Sequence, residues 1–268
     1  MFALDVVIAC ERYGDFLEQT LPRHVAARLF DRVVVVTTME DRETRRVCEQ
    51  ADVEYVITDS AYDENGHFAY GAVIDDGLQY LFRTDGGHSW VLVLDADIAL
   101  PLHAREVLEE IGLNPMKIYG IDRHPIIGGL QWAHYQARCW PRGPIVADAP
   151  GVTPAGFRAH GGWFPIGFFQ LFCPSVASQG RFYPRRPSPP FKNTDPEFAL
   201  RWKRPERELI PEIIGAHLLS QRARFDTNWK GRTTRRFVPF SGEASAFSVS
   251  AFSYTVGRLI DRLKTRVR

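Results

Sequence analysis

With 268 residues the chain is long enough to bury one α/β domain, with or without an appendage, and its length does not force a second core. Lys and Arg number 33 against 32 Asp and Glu, a formal net charge of +1, which excludes the overall basic signature of a nucleic-acid-binding protein. Four cysteines, at 10, 48, 139 and 173, form neither a CxxC spacing nor a paired framework, so they read as reduced thiols and argue against a structural zinc.

The N-terminal Met-Phe-Ala-Leu-Asp has no basic residue before its apolar stretch, so Phe2–Ala9 reads as a first strand rather than a secretory signal. Leu17, Leu21, Val25 and Leu29 then form a helical stripe, bent or restarted at Pro22. Val33–Thr37 is a second strand, Asp41 caps the helix after it, and Val53–Ile57 is a third strand. Tyr70, Ile74, Leu78, Leu81 and Phe82 share one face of a helix that ends near Gly86-Gly87. The uninterrupted apolar run Trp90-Val91-Leu92-Val93-Leu94 reads as a central strand covered on both faces, and Met116–Ile121 as the next strand. Strands alternating with helical periods predict a mostly parallel, Rossmann-like sheet flanked by helices.

After about residue 123 the regularity fails, and Gly, Pro and aromatic residues predict long loops up to about 192. Pro184, Pro187, Pro189 and Pro190 with Arg185 and Arg186 read as an extended segment. Helical spacing returns over Asp195–Trp202, Ile210–Leu219 is strand-like, and Phe252–Val267 reads as an amphipathic terminal helix. The expected organisation is one domain over 1–235, divided at 123, with an extension over 236–268. The longest apolar segment, Trp163 to Cys173, is too short to span a bilayer as a helix. The chain is therefore expected in the cytoplasm, at most docked on a membrane through its basic C-terminal stretch, although a solvated face is the commoner explanation of such a charge run.

Asp95-Ala96-Asp97 follows the apolar run directly, placing two carboxylates where a buried strand surfaces. Ligands of open α/β sheets gather beyond the carboxyl ends of their strands, and residues two apart in an extended chain point to one side. Both carboxylates can then face one hard cation, Mn²⁺ or Mg²⁺. Acidic pairs after strands also serve as turn formers and helix caps.

Four segments in order resemble the GT-A-fold, nucleotide-sugar-dependent glycosyltransferases, nearest to the large inverting family 2. They are Val7-Ile8-Ala9-Cys10-Glu11-Arg12-Tyr13, Phe68 to Leu78, Asp95-Ala96-Asp97, and Asn193 to Arg201. In the second, Tyr70 stands where a basic residue is common and Asp75 where Asn is common. The resemblance implies a nucleotide-sugar donor, UDP- or GDP-linked, and a saccharide or other hydroxyl acceptor. It places Ala9, Glu11, Arg12, Asp41, Asp75 and Asp95 on the donor side, and Asp95, Asp97 and His217 around the metal. It makes Asp195, then Glu197, the base of an inverting transfer. Asp195 ahead of Pro196 is also an ideal helix N-cap, and a lone His near an apolar run is more often a core residue. Lys230, within Asn228-Trp229-Lys230-Gly231-Arg232, belongs to either a basic flap over the diphosphate or a polar turn. Trp163 and His160 are candidates for the acceptor side, whereas Phe168, Phe169 and Phe172 read as an ordinary hydrophobic strand.

Three other readings compete. Val91 to Asp97 also fits a haloacid-dehalogenase-type phosphatase with Asp95 as nucleophile, but no Gly-Asp or adjacent acidic pair of the required kind follows. A nucleotidyltransferase lacks its glycine-rich basic loop, since Ala9–Gly14 holds one glycine and one arginine. A binding module that has lost turnover is the non-enzyme alternative.

Overall fold

The computed structural model describes residues 2–85, 90–138, 164–177, 183–185, 194–220 and 235–240. Leu4–Ala9 (β1), Arg32–Thr37 (β2) and Glu54–Ile57 (β3) are parallel and are connected through Gly14–Ala26 (α1) and Arg42–Ala51 (α2). Tyr70–Asp85 (α3) leads back to Trp90–Asp95 (β4), parallel to β1 on its other side. The second half comprises Ile98–Ala99 (β5), Ala104–Glu110 (α4), Ile118–Ile127 (β6), Gly128–Arg138 (α5), Phe169–Phe172 (β7), Pro174–Ala177 (α6), Thr194–Ala199 (α7) and Arg207–Leu219 (β8). Together the strands make one eight-stranded sheet in the order β3-β2-β1-β4-β7-β6-β8-β5. Antiparallel pairing is confined to the second half, where β7 runs against β4 and β6, and β5 against β8. This is a single α/β domain with a Rossmann-like parallel half joined to a mixed half through β7.

Side chains alternate along a strand, and with helices on both faces β1 is apolar at every residue but Asp5 and β4 at every residue but its last, Asp95. Leu4, Val6 and Ile8 with Leu92 and Leu94 face Leu17, Leu21, Val47 and Cys48 of α1 and α2. Val7, Val91 and Val93 face the opposite layer, Ile74, Leu78 and Leu81 of α3 and Phe198 of α7. A third cluster packs Phe16 of α1 with Trp132 and Tyr135 of α5, Leu218 and Phe237. The Phe237 ring packs tilted against Phe16 at 5.3 Å, and Pro239 bridges Gly129, so residues 235–240 lie on the domain.

Some expectations are corrected by this packing. α1 runs through Pro22 without restarting, because Leu17 and Leu21 are seated in the core and tertiary burial outweighs one missing N–H. The region after 123 is more regular than its composition suggests, with β6 continuing to Ile127 and α5 following at once. The terminal helix expected over 252–267 lies outside the described residues, and so does Cys139; Cys10, Cys48 and Cys173 are free and buried. Among the described residues, no helix is long and apolar enough to cross a membrane.

A Cβ at Gly77 would fall 2.5 Å from Val7 Cγ1 and 2.7 Å from Val36 Cγ2, so α3 lies directly on β1 and β2. Gly77→Ala gains up to about 1 kcal/mol of helix propensity but overpacks this contact at a cost of about 1–3 kcal/mol. The expected outcome of urea unfolding is a net loss of stability, and a gain would show that α3 is not seated this closely.

Candidate functional site

β1 and β4 end side by side, with Ala9 opposite Asp95 in register. Just beyond, Arg12 adopts a positive φ of 60° and its N–H donates to Asp41 Oδ2 at 2.5 Å. Asp41 also accepts from Thr44 N at 3.1 Å and Thr44 Oγ1 at 2.7 Å, so it caps α2 as expected and ties the turn after β1 to that cap. Its carboxylate is thereby committed. Glu11 accepts from Thr38 Oγ1 at 2.8 Å and from Tyr62 Oη at 3.1 Å, and burial raises its pKa above the usual carboxylate value.

The Asp95-Ala96-Asp97 turn is fastened to α1 at two points. Thr20 Oγ1 donates to the Ala96 carbonyl at 2.8 Å, and the Leu100 N–H donates to His24 Nε2 at 3.0 Å. Burial lowers the His24 pKa to about 3, which keeps that ring neutral and able to accept. Ile98 pairs with His217 in register, and this brings His217 Nε2 to 3.3 Å from Asp97 Oδ2. Asp97 Oδ1 is buried and has no hydrogen-bond partner among the described residues. Asp95 Oδ1 accepts from Tyr70 Oη at 3.1 Å, a hydroxyl that also lies 3.2 Å from the Gly167 carbonyl. Burial first, then the charges of Asp97 and Asp195, push the Asp95 pKa up, while Arg123 and Tyr70 pull it down.

Asp195 reaches this group from the second half of the chain. The Asp95 N–H donates to the Phe168 carbonyl at 3.3 Å as β7 pairs with β4, so Gly167 lands beside the turn. A Cβ on Gly167 would sit 2.4 Å from Asp195 Cγ, and the glycine backbone hydrogen-bonds the Asp195 carboxylate. Tyr183 Oη is 3.1 Å from Asp195 Oδ1 and 2.7 Å from Gln170 Oε1, while Gln170 Nε2 donates to the Pro165 carbonyl at 2.9 Å. Burial raises the Asp195 pKa to about 6 despite these donors. α7 begins at Thr194, so Asp195 lies inside its first turn rather than ahead of it, and the carboxylate goes to Tyr183 and Gly167.

The other expected residues divide. Glu197 is half-buried on α7, and among the described residues no hydrogen bond or ion pair ties it to the acidic group. Asp75 is buried in α3 and accepts from Gln79 Nε2 at 2.8 Å and Arg185 Nη1 at 2.6 Å. Lys230, His160 and Trp163 lie outside the described residues. No group of three His, Cys, Asp or Glu among the described residues is arranged to hold a metal, so Asp95, Asp97 and His217 are not gathered as a ready ligand shell. The orphaned Asp97 Oδ1 nevertheless fits a cation, since a buried carboxylate oxygen without a donor is tolerable where a positive charge completes it. Sequence reading gave no role to Gln170, Tyr183 or Arg123. Gln170, a polar residue inside Phe168-Phe169-Gln170-Leu171-Phe172, was the available signal, because a buried amide must find partners.

A carboxyl whose folded pKa is raised holds a proton that the unfolded chain has already released, so its contribution to stability falls as pH rises through that window. For Asp195 the window runs from the ordinary aspartate range to about 6. Urea unfolding of wild type and Asp195→Asn at pH 4.5, 5.5, 6.5 and 7.5 should therefore show the difference shifting in the variant's favour with rising pH. A pH-independent difference would mean that Asp195 is solvated.

No protein-family description and no curated protein matches the chain. Among solved structures it is similar to the mannosyltransferase PcManGT from Pyrobaculum calidifontis in complex with GDP-Man and Mn²⁺, at 13% identity and a TM-score of 0.47, over 82% of this chain and 58% of that one. It is similar also to a 4-diphosphocytidyl-2C-methyl-D-erythritol synthase, at 17% identity and a TM-score of 0.47, over 93% and 98% of the two chains. A third is glucosyl-3-phosphoglycerate synthase from Mycobacterium tuberculosis in complex with phosphoglyceric acid, at 11% identity and a TM-score of 0.44, over 83% and 73%. The chain thus spans little more than half of the mannosyltransferase, and with TM-scores below 0.5 none of these likenesses decides what it acts on.

Proposed function

We propose that the protein is a glycosyltransferase that moves a sugar from a nucleotide-sugar donor, UDP- or GDP-linked, to the hydroxyl of a saccharide or other acceptor, using a divalent cation and inverting the anomeric centre. The observation that supports it most is the convergence of Asp95, Asp97 and Asp195 at the end of the sheet where β1 and β4 stop, each acting on the charge state of Asp95. Residues 1–123 supply the donor side in this reading, 124–235 the acceptor side, and 236–268 an extension that allows peripheral membrane contact.

Asp97, Asp95 and His217 would hold Mn²⁺ or Mg²⁺, the nitrogen ligand favouring Mn²⁺. The cation supplies charge neutralisation on the departing diphosphate. Ala9, Glu11 and Arg12 border the nucleotide, with Asp41 holding the Arg12 backbone in place. Asp75 acts on the same wall at one remove, by fixing Arg185, and Lys230 would close over the diphosphate. Asp195 takes the proton of the attacking hydroxyl. Its pKa of about 6 leaves it ionised at neutral pH yet basic enough to accept, and Tyr183 and Gly167 fix its direction. Glu197 is the second candidate.

Asp97→Ala should abolish turnover and metal-dependent donor binding with the fold retained, checked by thermal shift with UDP- and GDP-sugars and Mn²⁺. Normal turnover by that variant would remove the central claim. Asp195→Asn should keep donor binding and lower transfer by roughly a hundredfold or more, and wild-type kcat/KM should decline as pH falls below about 6. If Glu197→Gln has this effect and Asp195→Asn does not, the order of the two is reversed. Release of inorganic diphosphate instead of a nucleoside diphosphate would identify nucleotidyl transfer.

A further inference from the structure

Arg123 of β6 has no part in the assignment above, and its surroundings are unusual for a cation beside two acids. Its guanidinium carbon lies 4.5 Å over the ring of Phe168, the residue whose carbonyl receives the Asp95 N–H. The charges of Asp97 and Asp95 act on it, yet among the described residues it closes no ion pair and donates no hydrogen bond to either. In the strand ladder Arg123 stands opposite Gly215, with Pro125 opposite His217 two positions further along on the same face. The stem is thus fixed from one side by the Phe168 ring, and the glycine opposite removes a competing side chain. β6 and β8 shift register between Gly120 and Asp122, immediately before Arg123. A bulge of this kind re-aims the side chains that follow it.

A guanidinium desolvated beside two carboxylates closes on them unless something holds it off, because the charge-assisted pair is strong. Here the acids and the cation are kept apart. That spacing suits a ligand carrying both signs, a cation on the carboxylate side and an oxyanion on the guanidinium side, whose planar fork matches phosphate oxygens.

We infer that Arg123 is the oxyanion-binding residue of the site, taking phosphoryl oxygens either from the donor's diphosphate or from a phosphate borne by the acceptor. This rests on the transferase reading for its ligands, but not for its test. Calorimetry with inorganic diphosphate should show binding weakened roughly tenfold to a hundredfold in Arg123→Met, the scale of charge-assisted hydrogen bonds. Affinity for Mn²⁺ alone should be unchanged or higher in the same variant, because a cation facing the carboxylates has been removed. Parallel loss of both affinities, or of neither, overturns the assignment, the first by reducing Arg123 to a structural role. Arg123→Lys, which keeps charge and stem but not the fork, should show a smaller loss and serves if the methionine variant fails to fold. The two sources separate with UDP and GDP. Weaker nucleoside diphosphate binding assigns Arg123 to the donor, whereas unchanged nucleoside diphosphate binding with weaker inorganic phosphate binding to the loaded protein assigns it to the acceptor. If wild type binds inorganic diphosphate through Arg123 but no nucleoside diphosphate, the donor reading fails and the oxyanion site stands. If wild type binds nucleoside diphosphates and Arg123→Met is unchanged toward every oxyanion, the reverse holds.

Discussion

Half-buried carboxylates within one another's fields set the terms for everything around the end of β4. Asp95 feels Asp97 and Asp195, and burial and both neighbours oppose its ionisation. Like charges in a poorly solvated place are tolerated only where donors, a cation or a bound proton offset them. The protein supplies donors from several directions: Tyr70 to Asp95, Tyr183 and Gly167 to Asp195, and His217 beside Asp97. The compensation is incomplete, as Asp97 Oδ1 shows, and an incomplete site of this kind is one that gains when a ligand of opposite charge arrives.

Precision in such a site depends on rigid support, and here the support is distant in sequence. α1 fastens the acidic turn through Thr20 and His24, both buried beneath it. The antiparallel entry of β7 between β4 and β6 sets Gly167 and Gln170 beside that turn, and Gln170 in turn orients Tyr183 toward Asp195. Without the change from parallel to antiparallel pairing, the second half of the chain would not deliver its carboxylate to the first.

The parallel half was legible because its signals are local. Runs such as Trp90–Leu94 are apolar on every residue only when helices cover both faces, and Asp41 carries its capping role in its own residue type. The acidic turn was legible for the same reason. The start of β6 was read as well, but its continuation past Ile121 and α5 were not, because Gly128-Gly129 and scattered aromatics hide a helix whose stability comes from Trp132 and Tyr135 reaching Phe16 and Leu218 across the fold. Asp195 was visible as a carboxylate in a helical start, but its partners Tyr183 and Gly167 are set by the sheet register, which no short window of sequence contains. Asp75 was read for donor contact on the strength of its neighbours in the chain, and its contact with Arg185, far away in sequence, was not legible.

Keeping Arg123 apart from the two aspartates is the step in which stability and function oppose each other. A closed ion pair would engage all three groups in the empty protein, at the expense of the charges that the proposed phosphate ligand and its cation would need. The Phe168 ring under the guanidinium offers a weaker interaction, which suffices to fix the side chain without neutralising it. The raised carboxyl pKa values and the unpaired oxygen of Asp97 express the same opposition from the acidic side. A protein arranged in this way loses stability when empty as pH rises through those carboxyl pKa values, and a ligand whose charges completed the set would restore it.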